Sequence, residues 1–564
     1  MGTNTETLSR SVAVFGAGIA GLTVAHELSL RGHKVSIYEV NSEAGGFFRS
    51  GRDDSNMPTE YSWHGFGPWY HNLFDLMKQI PFDTSGSIYQ KGFSRPIDFG
   101  IFPDKDIASF YDKGISSIPQ MFRMTKWEWM KWSWPMLKSW TANTRSEQVY
   151  STLNAAEQWK PLLSERAYNT WRSCFGPWIG SDWTRVSLHT AGEFFCKQLT
   201  TKPLHYHDVD REGPAWVHGS GDGWLLLRGP SSEYWFSRWV NHLKTLGVTF
   251  FWKARLDKFN YNGKAIISAY LDSGEEIKAD MYVMAVNPFE AVKIIDRTPT
   301  VRNEKELKLF APLIQDGPHT QVSFRIAFSE TIYFPRERAA VILADSEFNL
   351  TLFAQEQAWQ PEVDLGENIK SLWTGTSCAG EVPGRLFNKP VARCTKEQFI
   401  AEIKVQIFEC RSLNELIREA NQGRSLAEFK IVKIEVWHEW ILSSEGIDAM
   451  QLKWVTTTST QRYLPSQTTT IPNLFLAGAH TRTEADVWSI EGAVESGRRA
   501  ARAIDPKVKV IPQYKPLWLR FIALIDDFFY ASGLPHVLDI LLPVFVIVSA
   551  IIFGLLAYQL SLIY

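Results

Sequence analysis

This chain has few cysteines, almost no net charge and few long apolar runs. Its 564 residues include five cysteines, an odd number without a CxxC pair, so we expect a reducing compartment and neither a disulfide framework nor a cysteine zinc site. The 59 basic and 61 acidic side chains leave a formal charge of −2, which removes the general case for nucleic-acid binding. Residues 1–10 are polar and do not predict a cleavable signal peptide.

Aromatic residues, in contrast, are abundant. The chain has 23 Trp, 18 Tyr and 35 Phe, within an otherwise ordinary composition of 45% hydrophobic and 21% charged residues. Rings in this number indicate a large apolar interior, an apolar ligand or a face that contacts a membrane.

The stretch 11–40 predicts a strand, a glycine turn, an amphipathic helix and a second strand. Three glycines form GxGxxG where the helix begins, and an acidic residue stands at the end of the second strand. In this context the motif indicates a dinucleotide site, because the turn and the helix N-terminus accept the pyrophosphate and the acid accepts ribose hydroxyls. The residues assigned to this site are Gly16, Gly18, Ile19, Ala20, Gly21 and Glu39.

Gly45, Gly46 and Arg49 follow closely. With them the sequence resembles the flavoprotein superfamily of amine oxidases and carotenoid desaturases, where a Gly-Gly-Arg pattern lies beside the FAD pyrophosphate. The resemblance implies FAD as the cofactor and an α/β fold, a Rossmann-type FAD-binding domain with an interleaved α+β substrate domain and a helical membrane-facing region. Phe47 stands where the family has arginine, and Arg49 is the candidate to replace that contact.

A second segment, from Glu60 to Phe74, resembles the plant-type phytoene desaturase and hydroxysqualene dehydroxylase pattern that runs past the flavin ring. The resemblance assigns Gly65, Phe66 and Gly67 to the cofactor. It makes His64 a candidate to tune the flavin or position substrate, or else a structural histidine bonded to backbone. Glu60 is a candidate base, or else a residue that holds a loop.

Two later segments extend the resemblance to residues 11–505. The block 221–288 resembles the family's helix, adenine-side strand and return strand, which implies that Leu256 presents its backbone to the adenine. The segment 472–497 resembles the C-terminal flavin motif, which implies flavin contacts from Gly478, Ala479, Ser489 and Ile490. Ala479 occupies the position of the family's usual aspartate, so one ribityl or phosphate contact is missing or replaced.

The chain ends in an uncharged run. Residues 540–564 exceed the roughly 20 helical residues that cross a hydrocarbon core of about 30 Å, so we predict a C-terminal transmembrane helix in preference to a buried core helix. Lys507, Lys509, Lys515 and Arg520 precede the run and no cation follows it. The positive-inside rule therefore predicts that the catalytic body lies on the cytoplasmic side.

Residues 123–145 carry five tryptophans and five basic residues beside one acid. Such a segment suits the headgroup zone of a bilayer, or else a helix packed on the core with its lysines outward. A short run, His205, His207, Asp208 and Asp210, lacks a third histidine at metal-binding spacing, so we predict a solvated loop and no metal site.

These assignments divide the chain into parts that alternate between cofactor and substrate. The predicted parts are 11–100, 221–295 and 466–506 for FAD binding, 101–220 for a helical Trp-rich region facing substrate or membrane, 296–465 for a substrate domain, 516–538 for an amphipathic interfacial segment and 540–564 for the anchor.

The resemblance implies a membrane-anchored FAD-dependent oxidoreductase. We expect it to dehydrogenate a long apolar isoprenoid, carotenoid or lipid-like substrate by hydride transfer to flavin, with a membrane quinone or oxygen as electron acceptor. Three alternatives stay open at this point: an amine oxidase, a flavin isomerase or saturase of an apolar polyene, and a non-catalytic FAD-stabilised membrane protein.

Overall fold

The computed structural model of the protein describes residues 9–60, 62, 64–94, 99–110, 118–200, 224–334, 340–378, 382–541 and 543. Its strands are β1 (Ser11–Phe15), β2 (Lys34–Glu39), β3 (Ser50–Arg52), β4 (Pro58–Glu60), β5 (Pro81–Asp83), β6 (Gly86–Ser87), β7 (Phe99–Phe102), β8 (Ser109–Phe110), β9 (Thr249–Trp252), β10 (Leu256–Tyr261), β11 (Ile266–Leu271), β12 (Glu276–Ile277), β13 (Met281–Met284), β14 (Gln321–Phe328), β15 (Ala340–Leu343), β16 (Leu350–Ala354), β17 (Ser371–Cys378), β18 (Ile431–Val436), β19 (Trp440–Ser443), β20 (Gly446–Ala449) and β21 (Leu474–Leu476).

The largest group of consecutive helices lies between β8 and β9, and the other helices occur singly or in pairs elsewhere in the chain. The helices are α1 (Ile19–Ser29), α2 (His71–Met77), α3 (Ile88–Lys91), α4 (Ile118–Met121), α5 (Lys126–Trp140), α6 (Thr144–Gln148), α7 (Ala155–Trp159), α8 (Glu165–Ile179), α9 (Leu188–Thr200), α10 (Ser237–Thr245), α11 (Pro288–Asp296), α12 (Phe310–Leu313), α13 (Gln355–Ala358), α14 (Lys396–Phe408), α15 (Arg411–Ala420), α16 (Ile490–Ile504) and α17 (Leu517–Ala531).

A parallel sheet in the order β21-β13-β1-β2-β9 forms the cofactor side of the molecule. Its strands come from three separated stretches of sequence, as the α/β expectation requires. The structure corrects one detail, because α1 is buried along all of its 11 residues and is not amphipathic. Helix α16 covers its outer face, and a Cβ at Gly497 would lie 2.6 Å from the Ala20 carbonyl oxygen, so this close approach requires glycine.

A second, mainly antiparallel sheet forms the substrate side, in the order β18-β14-β17-β16-β15-β7-β8. One face of β14 carries Val322, Phe324 and Ile326, which join an apolar cluster with α14 and α15. Because side chains alternate along a strand, the other face carries Gln321, Ser323 and Arg325. These polar residues are buried, and Arg325 Nη1 donates to the Glu60 carbonyl at 2.9 Å, so this face is directed at the cofactor side.

The helices α5 to α9 enclose an aromatic core. Trp132, Trp159 and Trp171 are at most 1% exposed, and the Trp171 ring stacks on Phe122 at a centroid distance of 3.7 Å. Trp127, in contrast, is 60% exposed. The tryptophans of residues 123–145, which were predicted to face a membrane, therefore fall into a buried group and an exposed group. Helical periodicity directs some of these rings, such as Trp132, into the core and leaves others, such as Trp127, exposed.

Helix α17 has its apolar side outward. Leu519, Ala523 and Asp526 are buried against the body, where Arg145 Nε donates to Asp526 Oδ2 at 2.9 Å. The residues of α17 that expose large apolar side chains are Leu517, Trp518, Phe521, Leu524 and Phe528.

None of the helices in the described ranges is long and apolar enough to cross a bilayer. The predicted anchor, residues 540–564, lies outside the described residues except for 540, 541 and 543.

Candidate FAD site and the polar cluster beside it

A cavity of about 580 Å³ opens at the carboxyl ends of the parallel strands. This is the edge at which open α/β sheets bind their ligands. Residues from four of the predicted segments meet on its wall, which includes Gly16, Gly18, Ile19, Ala20, Glu39, Gly45, Gly46, Arg49, Leu256, Gly478, Ala479, Ser489 and Ile490.

The glycine turn forms the narrow floor of this cavity. Gly16 has a φ of +108°, and a Cβ there would lie 2.5 Å from the Ala285 carbonyl oxygen. At Gly18 a Cβ would meet no atom within 4 Å, so this residue borders open space. Gly18 also caps α1 without a side-chain hydrogen bond, which leaves the N–H groups of the first turn available to an anion. Gly21 lies behind the wall, beneath Gly16.

Glu39 is held rigidly at the end of β2. Its Oε2 accepts the Ala17 N–H at 2.6 Å, and its Oε1 accepts from the backbone N–H and side-chain amide of Asn41 at 2.9 and 2.7 Å. A carboxylate has about four acceptor sites, so capacity is left for ribose hydroxyls. The glycine cradle, the uncapped helix and this carboxylate fit the pyrophosphate and ribose of FAD.

Arg49 lies on the cavity wall, but its guanidinium already has partners within the protein. Its Nη1 donates to the Gly46 carbonyl at 2.8 Å and to Gln451 Oε1 at 2.6 Å, and its Nη2 pairs with Glu439. The pairing with Glu439 offsets the positive charge that a pyrophosphate contact needs. Replacement of the family's arginine contact by Arg49 therefore stays a prediction.

The C-terminal motif closes the opposite end of the cavity. Ser489 caps α16, and its Oγ accepts the Gly492 N–H at 3.1 Å. Gly478 N–H donates to Ser496 Oγ at 2.9 Å, and Ala479 lines the cavity with a side chain that has no hydrogen-bonding group. Burial lowers the pKa of the neighbouring His480 to about 3, so this ring is neutral and does not replace the absent acid by charge.

Glu60 has the contacts of a residue that holds a loop. Its Oε1 accepts both the backbone N–H and the hydroxyl of Ser231 at 2.9 Å, which ties β4 to the segment that leads into α10. Burial raises the pKa of Glu60 to about 7. It is not on the cavity wall, and its role as a base stays a prediction.

His64 lies beside Phe48, with ring centroids 4.3 Å apart. Its Nε2 is 3.9 Å from Glu60 Oε2 and has no hydrogen-bond partner among the described residues. Burial, with the nearby charge of Lys453, lowers the pKa of His64 to about 3, so the ring is neutral. The contacts in the described residues thus do not include the backbone bond expected of a purely structural histidine.

Phe66 is in the core and not on the cavity wall. It exchanges backbone hydrogen bonds with Leu225 at 2.9 and 3.0 Å, and its ring lies edge-on to Phe93 and Trp235. Gly67 lies against Trp69, where a Cβ would come within 3.0 Å of Nε1. The cavity wall includes none of Gly65, Phe66 and Gly67, and their contacts with the cofactor stay predictions.

Sequence reasoning missed a wall made by residues 439–454. Glu439, Gln451, Leu452 and Trp454 line the cavity, and Trp488 completes this side. Residues 439–454 contain none of the glycine spacings that mark the other walls. Of these residues, only Trp488 could have been predicted from the sequence, because it directly precedes Ser489 of the C-terminal flavin motif.

No group of His, Cys, Asp and Glu in the described ranges is arranged to hold a metal ion. The run that includes His205 and His207 lies outside those ranges.

Two family models match the chain. The one described as an NAD(P)-binding Rossmann-like domain matches residues 14–80, and the one described as a flavin containing amine oxidoreductase matches residues 444–505. These matches cover the first glycine turn and the C-terminal motif, the two ends of the cavity.

Curated relatives include carotene desaturases. A zeta-carotene desaturase of Synechocystis sp. is 42% identical over 69 residues, which is 12% of this chain and 14% of that protein. The chain thus spans, in this alignment, about a seventh of that relative. A zeta-carotene desaturase of Zea mays is 22% identical over 529 residues, covering 87% of this chain and 83% of that protein.

Solved structures show the same fold. An oxidoreductase from Methanosarcina mazei is 14% identical with a TM-score of 0.56, covering 88% of this chain and 100% of that one. A putrescine oxidase bound to putrescine is 13% identical with a TM-score of 0.56, covering 89% and 100%.

The parallel sheet and the glycine-walled cavity, together with these matches, indicate that FAD is the cofactor of this site. The family models and the carotene desaturase relatives confirm the resemblance of this chain to the superfamily of FAD-dependent amine oxidases and carotenoid desaturases.

Proposed function

We propose that this protein dehydrogenates a long apolar substrate of the isoprenoid, carotenoid or lipid-like class at a membrane. The observation that carries the proposal is the similarity to carotene desaturases over 87% of a chain whose FAD-motif residues line one cavity. A hydride from an activated C–H of the substrate would be accepted by bound FAD, which supplies the redox chemistry.

The protein's own residues bind and orient the reactants. The N–H groups at the start of α1 stabilise the pyrophosphate, Glu39 accepts the ribose hydroxyls, and Ser489 fixes the helix N-terminus at the flavin end. The aromatic core of α5 to α9 excludes water from the substrate side. A membrane quinone or oxygen is the proposed final electron acceptor.

Membrane attachment is the second part of the proposal. Residues 540–564 carry no charge, and the helix that leads towards them exposes an apolar face whose Leu517 is 81% and Phe528 68% exposed. Such a face suits the interface of a bilayer, which also concentrates apolar substrates. The positive-inside rule, applied to Lys507, Lys509, Lys515 and Arg520, favours a catalytic body on the cytoplasmic side.

An amine oxidase is the second candidate. It is favoured by the match of residues 444–505 to the flavin containing amine oxidoreductase model. The two candidates differ in the substrate that reduces the flavin, so one titration separates them.

The test uses the full chain purified in detergent with FAD. Absorption bands near ~370 and ~450 nm report oxidised flavin. Under anaerobic conditions we expect an apolar extract of the host to bleach these bands and a panel of amines to leave them unchanged. Bleaching by amines alone with peroxide release in air would establish the amine oxidase instead. Bleaching by neither would favour the isomerase or the non-catalytic protein.

A further inference from the structure

A buried lysine lies between the FAD cavity and the polar face of β14. Lys453 is 2% exposed, and its ammonium donates to Gln321 Oε1 and lies 4.8 Å from the centroid of the Trp488 ring. Its chain neighbours Leu452 and Trp454 line the cavity itself. Lys453 therefore stands directly behind the cavity wall, on the substrate side.

No carboxylate of the described residues forms an ion pair with this ammonium. A lysine charge without an acidic partner is rare in a protein interior, because burial removes the water that solvates it. Burial accordingly lowers the pKa of Lys453 to about 7, so a large fraction carries the charge near neutrality. An anion bound nearby would stabilise the charged form.

Two histidines extend the same polar site. His319 donates its backbone N–H to the Lys453 carbonyl at 2.8 Å, and its Nδ1 contacts Ser181 Oγ at 2.5 Å. Its Nε2 has no partner among the described residues, and the same holds for His64 Nε2. His319 is 3% and His64 8% exposed, so neither nitrogen is satisfied by bulk water. We call Lys453, His64, His319 and Gln321 the Lys453 cluster.

The fold also leaves room for the ammonium. Gly180 ends α8 in the left-handed conformation at a φ of +63°, and a Cβ there would collide with Lys453 Nζ. The adjoining sheet face adds two hydroxyls, of Ser323 and Thr351, that are fully buried and lack a partner in the described ranges. A pure hydrocarbon has no hydrogen-bonding group to offer the imidazole nitrogens and hydroxyls that lack a partner here.

We infer that the substrate is not a pure hydrocarbon but an apolar chain ending in a carboxylate, which binds at the Lys453 cluster. The ammonium supplies the positive charge, and the neutral imidazoles of His64 and His319 supply N–H donors. The inference rests on the proposed function, since it specifies the polar end of the apolar substrate.

The probes are retinoic acid and retinol, polyenes of the same length that end in a carboxylate and in a hydroxyl. Binding to the FAD-loaded full chain in detergent is followed by quenching of tryptophan fluorescence. A charge-assisted hydrogen bond favours the acid by about tenfold in Kd. In Lys453→Met the acid and the alcohol bind equally, while Lys278→Met, which removes a lysine whose side chain is 70% exposed, keeps the preference.

The flavin content of each variant is read separately from its absorption. Equal binding of the two probes by the unsubstituted protein overturns the inference. A loss of FAD from Lys453→Met also overturns it, because the cluster would then serve the cofactor. If Lys453→Met does not fold, Lys453→Gln provides the same comparison. Failure of the proposed function is distinguishable, since it appears as absent bleaching by apolar extract whatever the preference between the probes.

Discussion

The cofactor side and the substrate side of this molecule are built from different kinds of contact. On the cofactor side the wall is largely backbone, as at Gly16, Gly18 and the N-terminus of α16. On the substrate side, side chains from segments far apart in sequence meet, as where Lys453 Nζ donates to Gln321 Oε1 and His319 Nδ1 contacts Ser181 Oγ. Backbone contacts require glycine at fixed spacing, whereas side-chain clusters leave no local pattern.

The largest effect is expected from the aromatic core of the substrate side. Trp171→Ala removes a fully buried ring that stacks on Phe122 and on Trp132, at centroid distances of 3.7 and 4.6 Å. We expect the free energy of unfolding to fall by about 3–5 kcal/mol, measured by denaturant titration. Trp127→Ala, at a 60% exposed position of the same region, serves as the control and should change it by less than about 0.5 kcal/mol. Equal losses in both variants would contradict a buried stack.

A methyl group at Gly18 tests the cofactor side without disturbing its packing. A Cβ at this position meets no atom within 4 Å, so the apoprotein of Gly18→Ala should unfold like the unsubstituted protein. The methyl group occupies the space into which the pyrophosphate must approach, and we expect FAD affinity to fall by about tenfold. Flavin absorption after titration with FAD measures this.

Gly263→Ala is the control for Gly18→Ala and should show the opposite combination of effects on stability and FAD affinity. Gly263 has a φ of +89° in a hairpin, so alanine there should lower stability slightly and leave FAD affinity unchanged. Undiminished FAD binding by Gly18→Ala would mean that the glycine turn is not the pyrophosphate site.

The proposed membrane face can be tested apart from the anchor. A chain ending at Asp539 should still bind vesicles reversibly through α17, while the full chain should resist extraction by alkaline carbonate. In the shortened chain, Phe521→Asp with Phe528→Asp should lower the vesicle-bound fraction by roughly tenfold or more, since burying a phenylalanine contributes about 1.5–3 kcal/mol. Ile441→Asp, at a 54% exposed position of β19, is the control in flotation assays. Equal flotation of all three would exclude α17 as the contact.

The smallest effect concerns pH and the substrate-side sheet. Burial raises the pKa of Glu356 to about 7, and its Oε2 accepts the Leu372 N–H at 2.9 Å. Since the folded pKa lies above the unfolded one, this group stabilises the protein at low pH and loses that contribution as pH rises towards 7. Glu356→Gln keeps the hydrogen-bond acceptor without the charge. The change in Tm caused by this substitution should therefore be more positive at pH 8 than at pH 5. An equal change of Tm at both values would contradict the buried, protonated carboxyl.

The cofactor side was predictable to a large extent. GxGxxG between a strand and a helix predicted β1, α1 and β2, and the segments with Leu256 and Ser489 reached the same cavity from distant parts of the chain. Two details depend on tertiary contacts that no local pattern shows. Helix α1 is buried on all sides because α16 covers it, and Arg49 is engaged by Glu439, which no local pattern connects to it.

The sequence by itself determined the cofactor class, because a backbone cradle for a pyrophosphate demands glycine and a helix start at fixed positions. Only the tertiary structure decided which tryptophans fill the core, which side of α17 faces outward, and that Lys453 meets His319 and Gln321 behind the cavity wall. Those outcomes depend on which surfaces are buried against each other, and burial is a property of the assembled fold and not of any single segment.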